Sequence, residues 1–199
     1  MPYAPDHKKE TRDRILRSAA RLFNRKGFSD VSIDEIMTEA GLTHGGFYRH
    51  FDSKDELYAE AIRHFLYKAA PEPWQRPTAG SCDPNAPFAR YVLDAYLSRE
   101  HLDDVEGSCP LIGLPSDTAR TSKAVRAAYR EVAEAMVRLF KTNLDGPDAR
   151  ERALTLVALC VGGMVLARAL DDPLLADDFR NAARKHALNS TGWEATADA

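Results

Sequence analysis

The sequence predicts an all-α protein, with an N-terminal three-helix module, a larger helical body and about nine helices in total. Apolar residues recur at three- and four-residue spacings, and no segment shows the sustained alternation of a half-buried strand. Several of these periodic segments also begin or end at recognisable helix caps. At 199 residues and 44% hydrophobic content, the chain can bury a sizeable core.

The first two helices follow from their apolar stripes and their ends. One is predicted over Lys8–Lys26 and stops at Gly27, and the next begins at Ser32 and stops at Gly41. The segments Ser32–Glu35 and Ser53–Glu56 both have the serine and glutamate spacing of a capping box. We therefore expect fresh helices to begin at both serines, with a short segment between them.

That short segment, Thr43–Phe51, has room for only a very short helix, which Thr43 could cap. Such a helix is not stable by itself in water, so its polar side chains indicate that it is presented to a partner. Gly45 and Gly46 each cost a helix about 1 kcal/mol relative to alanine. Their pairing is explained if the backbone approaches a surface closely; the alternative is that they merely loosen a turn. The arrangement is that of a helix-turn-helix, which places its second helix in the major groove of double-stranded DNA.

The body is predicted to begin at Lys54, so the expected division is a DNA-binding domain over residues 1–53 and a regulatory and dimerisation domain over 54–199. Five prolines make residues 70–87 a loop, and the breaks in 105–117 leave a short helical turn at most. The tail 190–199 is expected to fray. Helices are predicted over 54–70, 88–101, around 125–139, 148–170 and 174–189.

Charge and cysteine content narrow the function classes. The formal net charge of −3 argues against a protein that coats nucleic acid through bulk charge. Residues 7–28, however, carry eight Lys or Arg against two acidic residues, and their position directly before the helix-turn-helix favours phosphate contact over a merely solvated face. Cys82, Cys109 and Cys160 have no metal-ligand spacing, so we expect no metal and no cofactor.

The expected location is the cytoplasm. Residues 1–9 lack the apolar core of a signal peptide, and the most apolar stretch, Ala153–Ala167, is about 15 residues, short of the roughly 20 that a membrane span needs. An odd number of cysteines fits free thiols in a reducing compartment.

Residues 11–58 resemble the DNA-binding module of TetR/AcrR-family transcriptional regulators. The resemblance rests on these motifs: Arg14–Leu16, Ala20–Phe23, Gly27-Phe28, Ser32–Ile36, Ala40–Thr43, Phe47-Tyr48, Phe51 and Ser53–Leu57. It implies a homodimer with a ligand-binding body, most often a repressor released from a palindromic operator by a small molecule. The DNA contacts that it implies are Ser32, Thr43, His44, Gly45, Tyr48, Arg49 and Lys54. Phe47 and Phe51 are expected in the module's core. The Gly-Gly-Phe-Tyr sequence departs from members with Lys-Gly or a bulkier pair there.

Family members dimerise through their last two long helices, and this sequence offers a physical reason. Residues 153–170 are apolar nearly all round, which is unusual for a helix on the surface of a monomer; the alternative is a helix wholly inside the core. The predicted interface residues are Ala158, Gly162, Gly163, Phe179 and Ala182.

An effector pocket could be lined by aromatic and sulfur side chains of the body, although plain core packing explains each of them as well. The candidates are Phe65, Trp74, Phe88, Tyr91, Tyr96, Tyr129, Met136 and Met164.

The segment Gly107–Pro115 resembles the Gly-Cys-Pro segment of one TetR subgroup, some members of which sense electrophiles or oxidants through a cysteine. Cys109 is therefore a candidate sensor, with Arg168 as a possible helper if the fold brings the two together. The alternative is a small packing cysteine. Cys160 is expected to be inert core.

Other functions fit the sequence less well. A helical enzyme would use His64, His101 and His186, but these form no metal-spaced cluster, nucleophile elbow or phosphate loop, so we predict no enzymatic activity. An architectural DNA-binding protein would not need some 140 residues of further helical core, and an activator differs from a repressor only in where the operator lies.

Overall fold

The computed structural model describes residues 5–67, 87–113 and 115–193, and these residues contain helices and no strands, which confirms the all-α prediction. They form ten α-helices and one 3₁₀ helix, two elements more than the nine expected. In chain order these are α1 (Pro5–Lys26), α2 (Ile33–Glu39), the 3₁₀ helix (His44–Arg49), α3 (Lys54–Tyr67), α4 (Phe88–Tyr96), α5 (Arg99–Asp103), α6 (Pro110–Gly113), α7 (Pro115–Ala119), α8 (Lys123–Lys141), α9 (Ala149–Ala169) and α10 (Pro173–Thr191).

The extra elements come from two places where the predicted boundaries were wrong. The helix expected over 88–101 is divided into α4 and α5, because the Ser98 hydroxyl accepts a hydrogen bond from the His101 N–H at 3.1 Å and so caps a new helix. The single turn expected within 105–117 is two short helices. Each begins at a proline, whose fixed φ suits the first helical position.

Contacts divide the chain into two compact units, and the first comprises Met1–Ala69 and Val105–Val132. In this unit α1 packs against α2 and α3, and large aromatic and aliphatic side chains fill the interior. The fully buried members include Ile15, Leu22, Phe23, Ile36, Phe47, Phe51, Leu57 and Tyr58.

The C-terminal end of α1 is hydrogen-bonded to the segment 106–117 within the same unit. The Asn24 side-chain amide donates to the carbonyl oxygens of Glu106 and Ser108, at 3.0 and 2.9 Å. The Asp117 carboxylate accepts from the Phe28 N–H at 2.7 Å. Gly27, which ends α1 with a φ of +83°, leaves room for that carboxylate, since a Cβ there would lie 2.7 Å from an Asp117 oxygen.

The second unit comprises Ala70–Asp104 and Ala133–Ala199, and its main packing is between α9 and α10. Asp172 caps α10 by accepting from the N–H groups of Leu174 and Leu175, with Pro173 at the first helical position of the helix expected over 174–189. The helices pack closely where Gly163 faces Ala183. The predicted domain boundary after residue 53 concerns function, so these packing units leave it a prediction.

The helix α9 is longer than the apolar stretch that we counted in the sequence. At 21 residues it is, among the described residues, the one helix long and apolar enough to cross a membrane, and a third of its most apolar window is buried inside the chain. A core helix of a globular protein has the same properties, so this finding is weak evidence for a span. The predictions for Trp74, Cys82 and the end of the tail lie outside the described residues.

Candidate DNA-binding surface

The predicted helix-turn-helix is present in the first unit. After α2 the chain turns at Gly41, whose φ of +65° favours glycine, and the Leu42 N–H donates to the Met37 carbonyl at 2.8 Å. Thr43 then leads into the 3₁₀ helix, and α3 begins at Lys54. The second helix of the motif is therefore one short 3₁₀ segment, seated on α2.

Each of the two predicted capping boxes forms through its serine, but neither glutamate returns a hydrogen bond to the N–H of the capping serine. At the start of α3, Ser53 Oγ accepts from the Glu56 N–H at 3.1 Å, and the Glu56 carboxylate accepts from the Asp52 N–H, one residue before the cap. At the start of α2, Ser32 Oγ accepts from the Glu35 N–H, but the Glu35 carboxylate pairs with Lys26 on α1. That pairing lowers the pKa of Glu35.

Thr43 does not cap the 3₁₀ helix with its side chain, which corrects our expectation. Its carbonyl accepts from the Gly46 N–H at 3.0 Å, and its hydroxyl makes no capping hydrogen bond. A Cβ on Gly45 would meet nothing within 4 Å, and one on Gly46 would lie 3.5 Å from Met37 Cε, an ordinary contact. Neither glycine has a positive φ. The protein's own packing therefore does not require glycine at either position.

The aromatic residues of the segment divide by depth, as the sequence predicted. Phe47 and Phe51 are buried in the core of the unit, with ring centroids 5.8 Å apart. Tyr48 is 61% exposed and stands nearly perpendicular to Phe47. The buried rings fix the 3₁₀ helix to the module and leave the tyrosine hydroxyl on the outside.

The predicted DNA contacts at His44, Arg49 and Lys54 differ in how firmly the protein holds their side chains. His44 Nδ1 lies 2.6 Å from a carboxylate oxygen of Asp34 on α2, while Arg49 is exposed. The ammonium group of Lys54 sits 4.4 Å from the centroid of the Phe28 ring. Partial burial there lowers the pKa of Lys54, against nearby acidic residues that raise it. Lys54 therefore has a packing role as well as a position at a helix N-terminus.

Half of the basic run on α1 is paired within the protein. Arg12, Arg21, Arg25 and Lys26 form ion pairs with Glu60, Glu39, Glu106 and Glu35 respectively. The other half is exposed and forms no ion pair within the described part of the chain. These residues are Lys8, Lys9, Arg14 and Arg17.

A groove of about 950 Å³ joins the start of α1 to the helix-turn-helix, which the sequence did not indicate. His7, Lys8 and Thr11 line one side, with Thr43, Arg49 and His50 among the residues opposite. Burial, followed by the charges of Lys8, Arg12 and Arg49, lowers the pKa of His50. The basic run was the only signal for the α1 side of this groove, and nothing in the sequence identified Asp34.

The candidate sensor Cys109 lies in the first unit and is 3% exposed. Beside it, the Tyr129 hydroxyl donates to the Leu111 carbonyl at 3.1 Å, and burial, with a contribution from Cys109, raises the pKa of Tyr129 to about 12. Cys160 is fully buried, as expected. Arg168 donates to two carbonyl oxygens at α5, those of His101 and Leu102, in the second unit.

The candidate effector residues are divided between the units. Phe65 and Tyr129 belong to the first, and the second contains Phe88, Tyr91, Tyr96, Met136 and Met164. The rings of Phe88 and Tyr91 stack with centroids 6.3 Å apart, and Met164 is fully buried. Their membership of one pocket stays a prediction.

The outer faces of α9 and α10 carry apolar residues that no described residue of the protomer covers. Leu166 is 47% exposed, and a Cβ on Gly162 would meet nothing within 4 Å. Gly163 has a different environment, since a Cβ there would lie 2.9 Å from Ala183 Cβ within the protomer. The exposed members of the face are Leu154, Ala158, Leu166, Leu175, Phe179 and Ala182.

Known proteins match this chain in both sequence and structure. The model described as "Bacterial regulatory proteins, tetR family" matches residues 15–61. The HTH-type transcriptional regulator LmrA of Bacillus subtilis is 25% identical over 169 residues, or 79% of this chain and 86% of LmrA. The HTH-type transcriptional repressor KstR2 of Mycolicibacterium smegmatis is 34% identical over 65 residues, or 33% of this chain and 32% of KstR2.

A solved structure also matches most of the chain. A TetR transcriptional regulator from Chloroflexus aurantiacus has a TM-score of 0.74 and 26% identity, and covers 92% of this chain and 95% of its own. Two further relatives, 40% and 43% identical, match over only 20% and 29% of their own lengths. The matched proteins are transcriptional regulators and not enzymes, in agreement with the sequence analysis. Residues 15–61 of this chain are therefore similar in sequence to bacterial regulatory proteins of the tetR family.

Proposed function

We propose that this protein is a ligand-responsive transcriptional regulator of the cytoplasm, a repressor that binds a near-palindromic operator as a homodimer. The observation that carries the proposal is the 3₁₀ helix. Its buried Phe47 and Phe51 anchor it, while Thr43, His44, Tyr48 and Arg49 lie on the exposed side. Two copies of such a segment, about 34–36 Å apart, read successive turns of one DNA face.

Phosphate contacts hold the module in register on the duplex. Lys8, at the groove between α1 and the turn, supplies an exposed cation that forms no ion pair with the residues that the structure describes. Ser32 and Lys54 stand at the starts of α2 and α3, where the helix dipole favours an anion. Lys54 reaches a phosphate by leaving the face of Phe28, so its contribution is expected to be moderate.

The exposed apolar face of α9 and α10 supports the homodimer. Leucine and phenylalanine side chains there gain from burial, at roughly 25 cal/mol per Å² of apolar surface. A second copy of the same face covers them under twofold symmetry. Ala158 and Gly162 are small enough for the helices to approach closely. Gly163 acts within the protomer, by letting α10 approach α9.

Release from DNA is proposed to follow a small-molecule inducer or modification of Cys109. Cys109 lies between Ser108, whose carbonyl accepts from Asn24, and Asp117, whose carboxylate accepts from Phe28. Movement of this segment therefore pulls on the end of α1. A second connection is the double hydrogen bond from Arg63 on α3 to Glu131 on α8, at 2.9 Å in both contacts. Coupling free energies between two such sites are typically about 1–3 kcal/mol.

The test is selection from a random DNA library by the full-length protein, followed by a gel shift with the DNA upstream of its own gene. We expect an enriched near-palindrome with half-sites one helical turn apart, and a dimer on sedimentation at micromolar concentration. Enrichment of no sequence, with binding to all duplexes alike, would instead indicate an architectural protein. Reporter expression with and without the protein separates repression from activation.

A further inference from the structure

At the start of the 3₁₀ helix, a side-chain contact joins His44 to Asp34 on α2. His44 is the first residue of the 3₁₀ helix, and Asp34 lies in the first turn of α2. His44 Nδ1 and Asp34 Oδ1 are 2.6 Å apart, with 49% and 74% of the two side chains exposed. The neighbouring Glu35 is already paired with Lys26, so Asp34 is the acidic residue of α2 that holds the imidazole.

The direction of this hydrogen bond determines the chemistry of the other ring nitrogen. A carboxylate can only accept, so the shared proton belongs to Nδ1. In a neutral imidazole only one nitrogen carries a proton, and Nε2 is then an acceptor. Because the two nitrogens lie on opposite edges of the ring, Nε2 is on the edge away from Asp34. Histidines that bind metals are oriented and held in one tautomer by carboxylates in the same way.

We infer that Asp34 is a specificity-determining residue, which fixes His44 in the Nδ1–H tautomer so that Nε2 accepts a hydrogen bond from a base amino group in the major groove. This inference rests on the proposed function. In that groove the amino donors are N4 of cytosine and N6 of adenine, whereas guanine presents acceptors there. His44 thus selects an amino-bearing base at one position of each half-site.

The charges at this point argue against a simple phosphate contact by His44. A neutral Nε2 acceptor has no proton to donate to a phosphate oxygen. The exposed carboxylate of Asp34 also repels the DNA backbone, so it lowers affinity for every sequence alike. The carboxylate at position 34 is therefore better explained by base recognition through His44 than by a contribution to overall DNA affinity. If the ring carried a proton on both nitrogens, Nε2 would also donate, and guanine or a phosphate would be the partner instead.

The tautomer is tested first, on the full-length protein without DNA. Long-range ¹H–¹⁵N NMR of histidine-labelled protein at pH 7.5, with His44 assigned through His44→Ala, reports which ring nitrogen carries the proton. We expect Nδ1–H with a bare Nε2 in the wild type, and loss of that preference in Asp34→Ala. A wild-type ring that carries its proton on Nε2, or on both nitrogens, would overturn the inference. This result does not depend on any DNA sequence.

The readout is tested by repeating the DNA selection with Asp34→Ala and with the control Glu39→Ala. Glu39, at the end of α2, carries the same charge but pairs with Arg21. In Asp34→Ala we expect the preference for an amino-bearing base at one half-site position to fall about two- to tenfold, as for loss of one hydrogen bond. Affinity for random duplex should rise by about twofold, because a repulsive charge is removed. Glu39→Ala should leave the base preference unchanged.

A double-mutant comparison completes the test. Asp34→Ala should change nothing further in base preference when His44 is already alanine, since the carboxylate acts through the imidazole. Equal preferences in the wild type and Asp34→Ala would refute the readout. A wild-type protein that selects no sequence would contradict the proposed function and the readout together, whereas the NMR result would still stand.

Discussion

Replacing Gly45 with alanine separates the stability of the fold from its function. The backbone φ at Gly45 is not positive, and a Cβ there would meet nothing within 4 Å. Alanine is therefore accommodated without strain, and it removes the entropic cost of a glycine in a helical segment, about 0.5–1 kcal/mol. For a chain of this size that corresponds to a rise in Tm of roughly 1–4 °C.

The effect on DNA binding should have the opposite sign. The added methyl group projects into the space outside the protein, where the backbone is expected to approach the duplex. We expect the affinity for the selected operator to fall about tenfold, which is about 1.4 kcal/mol. Fluorescence anisotropy at fixed salt measures the affinity, and thermal denaturation followed by circular dichroism measures Tm.

Gly46→Ala is the matched control for this prediction. Its Cβ would lie 3.5 Å from Met37 Cε, on the side that packs against the module. It should raise Tm by a similar amount and affect binding less. If Gly45→Ala raised Tm but bound the operator as tightly as the wild type, close approach of DNA would not explain the glycine pair. A fall in Tm would refute the packing argument itself.

Four further predictions concern the rest of the molecule. Lys54→Ala should weaken binding to all sequences alike and lower the slope of log affinity against log salt by about one unit; an unchanged operator affinity at moderate salt would refute the phosphate contact. Glu131→Gln should destabilise the fold by about 0.3–1 kcal/mol at pH 7. Arg63 lowers the pKa of Glu131 in the folded protein. The ion pair therefore stabilises the wild type fully above the ordinary carboxyl pKa, and this stabilisation is lost as the pH falls through the lowered pKa. The free energies of unfolding of the wild type and Glu131→Gln, measured by denaturant titration, should therefore converge in acid. Gly162→Leu should dissociate the proposed homodimer on sedimentation with its helicity intact, and a Gly162→Leu dimer of unchanged affinity would place the interface elsewhere. Gly163→Ala should instead lower the free energy of unfolding by about 1–3 kcal/mol through overpacking against Ala183, measured as a lower Tm. N-ethylmaleimide reacts with the Cys109 thiolate by addition to its double bond, and the adjacent carbon takes up a proton. This reaction should release DNA from the wild type and from Cys160→Ser, but not from Cys109→Ser. A Cys109→Ser protein that still releases DNA on treatment would refute the proposal that Cys109 is the sensor.

The parts of the fold that the sequence predicted are those that depend on local signals. The start of α10 follows from Asp172 and Pro173, and the turn after α2 follows from Gly41, because caps and positive φ values act over a few residues. The division of 105–117 into two helices was not predicted. There the α1 side chain of Asn24 and the main chain at Phe28 bind the segment, and these contacts come from residues some 80 to 90 positions away.

In the candidate site, too, the sequence predicted local features but not the contacts between separate helices. Side-chain types identified the exposed face of Thr43–Arg49 and the buried Phe47, since burial follows from the apolar pattern. The partner of each charge did not follow from the sequence. Glu35 fits a capping box yet pairs with Lys26, while Asp34 holds His44, because those choices depend on how α1, α2 and the 3₁₀ helix meet.

The adjacent glycines of α9 give a third example. Gly162 and Gly163 are equally small in the sequence, and both were predicted at the dimer interface. Only the position of α10 shows that Gly163 faces Ala183 within the protomer while Gly162 has open space. A periodic pattern predicts that a face exists, but its partner is known only from the packing.

The central claim is that the exposed side of the helix-turn-helix binds the operator. Hydrogen–deuterium exchange of the full-length protein, with and without the selected operator duplex, tests it most directly. We predict slower exchange on DNA binding at residues 43–50, at the starts of α2 and α3, and at the start of α1. Protection confined to α9 and α10, or no protection of residues 43–50 at saturating operator, would contradict the account.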